Sequence, residues 1–285
     1  MEQKWTSIVK ANKNAFDMDF KGLKRCKDLI MLLVRRTFVA KYKQTVLGPA
    51  WAIIQPFFTT VVYSIFFGKV AGLGASGVPD FIFYLSGTVV WTLFASCLTE
   101  TSRTFTGNAA ILGKVYFPRL VMPISTAISQ FISFFIQFAF MLGFLVYYIV
   151  ADANISLNIY ILLTPLVLLQ LAMLGMGFCM MISALTTKYR DLSMVVSFGV
   201  TLWSYCSPVA YDMFSRSQLA HGTTFYNIYM LNPVTPAINT FRYAFLGTGE
   251  IDWAFYLIGW AITLAVVVLG ALMFSKAEKT FMDTV

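Results

Sequence analysis

The sequence predicts an all-α integral membrane protein: six transmembrane helices, an N-terminal amphipathic interface helix, and short re-entrant helices between the fifth and sixth spans. Three observations carry that prediction. The 285 residues are 58% hydrophobic and 12% charged, against roughly 25% charged in an ordinary soluble domain. Apolar runs recur at residues 49–68, 81–99, 120–150, 159–185, 192–211 and 253–274, each reaching the ~17–25 residues that cross a bilayer. With the N-terminus inside, every one of the 21 Lys and Arg except Lys69, Arg216 and Arg242 falls on the cytoplasmic side, so both termini are expected in the cytoplasm. The net charge of +8 is then a topology signal and requires no nucleic acid.

Residues 1–22 are polar and mixed in charge, a cytoplasmic arm without the apolar core of a cleavable signal peptide. Residues 23–47 form an amphipathic interface helix and its linker. From 23 to 37 a helical wheel places Leu23, Cys26, Ile30, Leu33, Val34 and Thr37 on one face. Lys24, Arg25, Asp28, Arg35 and Arg36 lie opposite, with Leu32 out of place. A basic amphipathic helix beside a span lies flat in the headgroup region; the alternative is a solvated helix packed on the protein's own surface. Gly48-Pro49 then marks where the membrane domain (48–275) begins, because proline is tolerated in a first helical turn.

The first span ends in a Gly-rich external turn at 69–80, with no strand before it and no GK[ST] after it. After the second span, residues 103–119 return to the cytoplasm. Asn108 caps a short helix there whose Ile111, Leu112, Val115 and Tyr116 project to one side until Pro118 stops it. Such an apolar ridge suits a partner's groove or, alternatively, rests on its own bundle. In the second cytoplasmic turn, 186–191, Arg190 and Asp191 anchor the membrane edge or contact a partner.

Pro208 disrupts the fifth span near the outer leaflet. Beyond it, 225–231 is apolar and aromatic, Asn232-Pro233-Val234-Thr235-Pro236 breaks the chain, and 237–246 is a short helix closed by Gly247. Apolar pieces too short to span read as interfacial or re-entrant, and survive at depth only when protein or a wet cavity satisfies their backbone. The tail, 276–285, ends inside.

The spans hold almost no ionisable side chains, and Asp80, Glu100, Asp191 and Asp252 sit at their ends. Charge inside a membrane segment is costly and usually functional, so an ion-coupled carrier is disfavoured. His221 has no paired ligand spacing, the four cysteines are far apart, and no HExxH or GxSxG occurs. Neither a metal site nor a membrane enzyme is expected. Polar and aromatic side chains are plentiful instead, among them Gln55, Tyr63, Ser129, Ser133, Gln137, Gln170 and Ser204. Sugars stack apolar faces on rings while their hydroxyls meet such groups; which side chains line a path is left open.

The run Val34-Arg35-Arg36 … Lys41-Tyr42-Lys43-Gln44-Thr45-Val46-Leu47-Gly48-Pro49-Ala50-Trp51 … Gln55-Pro56 resembles the start of ABC-2-type permeases that export cell-surface polysaccharides. The likeness continues in Leu112-Gly113-Lys114-Val115-Tyr116-Phe117-Pro118-Arg119, Tyr189-Arg190-Asp191, Ser207-Pro208-Val209 and Leu231-Asn232-Pro233 … Phe241-Arg242. It implies a homodimer in the bacterial cytoplasmic (inner) membrane, bound to a separate ABC ATP-binding subunit. The cargo it implies is a polyprenyl-diphosphate-linked polysaccharide, with O-antigen preferred over teichoic acid or capsule.

No cofactor is implied for this chain, which has no GxxxxGK[ST]; ATP belongs to the partner. On the same resemblance Asn108, Ile111, Leu112, Lys114, Val115, Tyr116 and Phe117 form the main docking helix, and Arg190 and Asp191 a second contact. Gly113 stands where a cationic or polar residue is expected. Pro208, Tyr211, Asn232, Pro233, Pro236 and Arg242 shape the outer mouth. Arg35, Arg36, Lys41 and Lys43 either gather the substrate's diphosphate at the cytoplasmic entrance or serve only as positive-inside anchors.

Overall fold

One helix, α3 (Asp80–Gly107), is the post around which the others stand. In the computed structural model 78% of its most apolar stretch is buried, against 17% for the first span, Gly48–Val70. The structure describes residues 25–74, 77–107, 118, 120–153, 155–186, 192–214 and 223–281. All regular structure among them is helical. In order they are α1 (Lys27–Tyr42), α2 (Trp51–Tyr63), α3, α4 (Val121–Val150), α5 (Thr164–Thr186), α6 (Leu192–Tyr205), α7 (Thr224–Met230), α8 (Val234–Leu246) and α9 (Trp253–Phe281). A 3-10 turn at Gly48–Ala50 leads into α2, and a π-helical run, Ser64–Val70, extends it.

Five stretches among the described residues are long and apolar enough to cross a membrane: Gly48–Val70, Asp80–Thr101, Val121–Val150, Ile159–Leu185 and Trp253–Lys276. The run at 192–211 differs from expectation, because its helix stops at Tyr205 and the chain turns through 206–210. Pro208 lacks an amide hydrogen, and the carbonyls of Cys206, Pro208 and Val209 are taken by side chains from elsewhere.

The core follows from neighbours with little bulk. α5 lies between α3 and α9, and its glycines let both approach. A Cβ on Gly175 would stand 2.8 Å from the Cys97 Cβ and 3.0 Å from the Phe94 carbonyl. One on Gly177 would stand 2.9 Å from Val266 Cγ1, while Gly270 of α9 meets the Gly177 carbonyl. Small residues of this kind let membrane helices pack backbone to backbone. Gly175→Ala is therefore expected to cost about 1–3 kcal/mol by overpacking, read as a lower unfolding midpoint of the detergent-purified protein.

α1 buries Leu33 and Val34, with Cys26, Leu29 and Ile30 partly covered. Leu33, with Cys26, Leu29 and Ile30, joins a cluster with Val121 and Met122 of α4, Met180 of α5, and Ala271 and Phe274 of α9. The apolar face read from the sequence is thus docked on the bundle, while Leu32, Arg35 and Arg36 are exposed. The expected start at Leu23 lies outside the described residues, and the helix runs on to Tyr42, whose hydroxyl lies 3.3 Å from Ser133 Oγ on α4.

The chain does break between the two short helices, but only at 231–233, shorter than the expected Asn232–Pro236 run. α8 begins at Val234, with Pro236 inside its first turn, where a missing amide hydrogen costs nothing. Asn232 Oδ1 accepts from the Val234 amide at 3.2 Å. At the far end Gly247 adopts φ 71°, and Asn158 donates to the Tyr243 and Ala244 carbonyls. α7 starts on the Thr223 side chain, which accepts from the Tyr226 amide. Asp252 Oδ1 caps α9, accepting from Ala254 and Phe255. Its other oxygen accepts from the Tyr226 hydroxyl at 3.2 Å, and burial, then that carboxylate, raises the phenol's pKa.

Candidate functional site

Two constructions stand out: a cleft along α2 and α3, and a knot at the α8 end of the bundle. Hydroxyl spacing builds the cleft. Thr88, Thr92, Ser96 and Thr99 recur on α3 at helical intervals and so share a face. Each donates to its own helix at 2.6–2.8 Å, to Tyr84, Thr92's own predecessor Thr88, Thr92 and Ala95 respectively. On α4, Gln130, Ser133 and Gln137 share another face by the same rule. α2 supplies Trp51, Gln55, Thr59 and Tyr63, and α6 supplies Ser204.

These elements enclose a cleft of about 480 Å³, with Lys41 and Glu100 toward one end and Tyr63 and Ser204 toward the other. A side chamber of about 30 Å³ branches from it between Lys41, Thr92, Ser96, Gln130, Ser133 and Gln137. Trp91 and Tyr42 add aromatic walls, and the Lys41 ammonium stands 5.7 Å from the Tyr42 ring centre. Pro56 in the same wall cannot donate to the Ala52 carbonyl one turn earlier. A polar and aromatic groove of this kind within a lipid-crossing bundle suits a hydrated, ring-bearing solute.

The knot gathers the residues read from sequence as an outer mouth. Arg242, 3% exposed, lies 3.8 Å over the Phe83 ring and donates to the Pro208 carbonyl and, at 2.9 Å, to that of Val209. Gly87 gives it room, since a Cβ there would meet the guanidinium. Burial lowers its pKa to about 10 while Asp212 acts in the opposite sense, so it keeps its charge at neutral pH. Asn232 holds the same turn: Nδ2 donates to the Cys206 carbonyl and Ser207 Oγ, and Oδ1 accepts from Trp203 Nε1 at 3.0 Å. The Tyr211 and Tyr229 hydroxyls bond to each other. Asn232→Ala, which strands these partners, is expected to cost about 2–3 kcal/mol, measured as a lower thermal midpoint.

Of the four basic residues singled out in the sequence, Lys41 lines the cleft, whereas Arg35, Arg36 and Lys43 are exposed and outside its wall. Asn108, Ile111, Leu112, Lys114, Val115, Tyr116, Phe117, Arg190 and Asp191 lie outside the described residues. Among the described residues no cluster of His, Cys, Asp or Glu is arranged to hold a metal ion.

A family profile described as ABC-2 type transporter matches residues 28–246, from within α1 to the last residue of α8. The chain belongs to this family. Two curated O-antigen export system permease proteins RfbA from Klebsiella pneumoniae are each 26% identical to it over 259 residues, covering 90% of this chain and 94% of theirs. The RfbA permease of Myxococcus xanthus is 24% identical over 66% of this chain and 69% of its own. The ABC-2 match takes in α1, the whole cleft and the knot.

Of the polar span residues noted in the sequence, for which no lining role is assigned there, Gln55, Tyr63, Ser133, Gln137 and Ser204 line the cleft, whereas Ser129 and Gln170 are not in its wall. Sequence reasoning passed over Thr88, Thr92, Ser96 and Gln130. The signal for the first three was the four-residue hydroxyl interval in an otherwise apolar helix. Arg242, read there as an external charge, is a buried structural cation in this ABC-2 chain.

Proposed function

We propose that this chain is the permease subunit of an ABC exporter that moves a polyprenyl-diphosphate-linked polysaccharide of O-antigen type across the bacterial inner membrane. The observation that carries the reading is the cleft: hydroxyl, amide and aromatic groups lining a groove inside a bundle of lipid-crossing helices. The names of the relatives point to the same cargo. The energy comes from ATP bound by a separate subunit, and this chain carries no cofactor.

In this reading both termini are cytoplasmic, residues 192–211 make the fifth of six spans, and α7 and α8 are re-entrant pieces of the outer mouth. The chain works as a homodimer. Residues 108–117 dock the ATPase, assisted by Arg190 and Asp191, and convert its cycle into movement of α3 and α4. Lys41 meets the lipid diphosphate where the cleft begins, while Arg35, Arg36 and Lys43 draw anionic headgroups to the same surface. Sugar rings then pass between Trp51, Trp91 and Tyr63, exchanging hydrogen bonds along α3.

Deleting the gene in its host tests this directly. Undecaprenyl-type glycan is expected to accumulate inside, surface polymer to vanish, and the tagged chain to co-purify with a P-loop ATPase. A phosphodiester polymer lost in its place would reassign the cargo to teichoic acid. Neutralising Arg35 and Arg36 together is expected to lower export with membrane insertion intact; failed insertion would assign them to topology alone.

A further inference from the structure

α1 has a second face, and its composition is not that of a helix surface resting in water. Leu33, Cys26, Leu29 and Ile30 turn into the bundle. Positions 28, 31, 32, 35, 36 and 39 recur at three- and four-residue steps and so share the opposite side. They alternate in kind: Asp28, then Met31 and Leu32, then Arg35 and Arg36, then Val39, all exposed. Met31 and Leu32 are each 62% exposed, on a helix whose other apolar face is already docked. Arg25 and Lys43 extend the face at its two ends, giving four cations to one acid. The apolar exposure runs on past the helix. Val46, Leu47 and Trp51 are exposed along the elbow into α2, and Phe58 and Val62 continue it on the first span. Residues 43–47, which join α1 to the turn at Gly48, reach no more than roughly 20 Å even when fully extended. α1 is therefore tethered close to the bilayer surface.

Apolar side chains set between guanidinium groups fit a phospholipid surface, where phosphates meet the cations and the aliphatic groups reach the acyl boundary. We infer that this face of α1 seats on anionic phospholipid of the cytoplasmic leaflet, which holds the helix between bilayer and bundle. The inference deepens the export reading, which sets Arg35, Arg36 and Lys43 at the headgroups, by naming bulk membrane phospholipid as what they hold. Lys41 belongs to the same helix and lines the cleft, so the seat also fixes the depth at which that ammonium meets cargo.

The test places an environment-sensitive dye at position 32 of the full-length chain, through Leu32→Cys in a Cys26→Ser/Cys206→Ser background, since Cys97 and Cys179 are buried. Lipid nanodiscs of phosphatidylcholine alone are compared with discs containing about 30% phosphatidylglycerol. The expected result in the anionic discs is blue-shifted emission and about threefold weaker quenching by acrylamide. Adding Arg35→Gln/Arg36→Gln/Lys43→Gln is expected to abolish the difference between the discs, with the melting temperature kept because all three side chains are exposed. Salt at about 1 M, where charges act only within roughly 3 Å, is expected to abolish it without any change to these cations. Equal shielding in both discs overturns the anionic seat, and full quenching in both overturns lipid contact altogether. A difference that survives the triple variant and the salt overturns the role of the cations. Shielding that appears only when the co-purifying P-loop ATPase is added gives the face to that protein and overturns the proposal. None of these outcomes bears on the cargo, which the gene deletion reads separately.

Discussion

Arg242→Ala is expected to destabilise the protein by about 3–5 kcal/mol, the summed cost of two stranded buried carbonyls and a lost ring contact. The Pro208 and Val209 carbonyls have the guanidinium as donor, and the Phe83 ring would lose the cation over its face. Arg242→Lys is expected to recover little. A single ammonium cannot serve two carbonyls and lie flat on a ring, as a planar fork can. Gly87→Ala should reproduce the defect from the opposite side, because its methyl group would occupy space the guanidinium now fills. Thermal unfolding in detergent and proteolysis after Tyr205 are the readouts. Wild-type values for all three variants would mean that the turn at 206–210 is held without this residue.

The second large effect is functional and leaves the fold intact. Thr92 is half-buried and lines both the cleft and its side chamber. Thr92→Trp is expected to place an indole across the groove and reduce surface polymer in a complemented deletion strain to background. Its melting temperature should stay near that of the parent, because the added ring enters open space and not packed core. Phe58→Trp supplies the control, since Phe58 is exposed on the outer flank of α2 and absent from the cleft wall. Full export by Thr92→Trp would remove the cleft from the transport path.

Much of the architecture was legible because the strongest signals here are one-dimensional. Length and apolarity announce a span wherever it lies, and Gly247 and Pro208 stop helices through backbone properties of their own. The apolar face of α1 was readable for the same reason: Leu33 and Val34 follow from the wheel whatever they pack against. Leu32, out of place on that wheel, is exposed.

The cleft was another matter. Thr88, Thr92 and Ser96 look like the hydroxyl residues of many membrane helices, and only tertiary packing sets them opposite Gln137 and Gln55. Arg242 misled for a related reason. A cation in a predicted external segment reads as solvated, and nothing local reveals that Pro208, 34 positions earlier, supplies its acceptor. The start of α8 was misjudged because prolines that end a helix also open one, and Asn232 decides between these roles through its own side chain.

The glycine contacts that bring α5 against α3 and α9 have a mechanical corollary. Where main chains touch through Gly175, Gly177 and Gly270, there are few intervening rotamers to yield, so those three helices form a stiff slab. α2 is little covered by the rest of the chain, so its seat beside that slab rests on much less buried surface. On the proposed export reading, α2 is the wall expected to yield as cargo passes, while the slab keeps its shape.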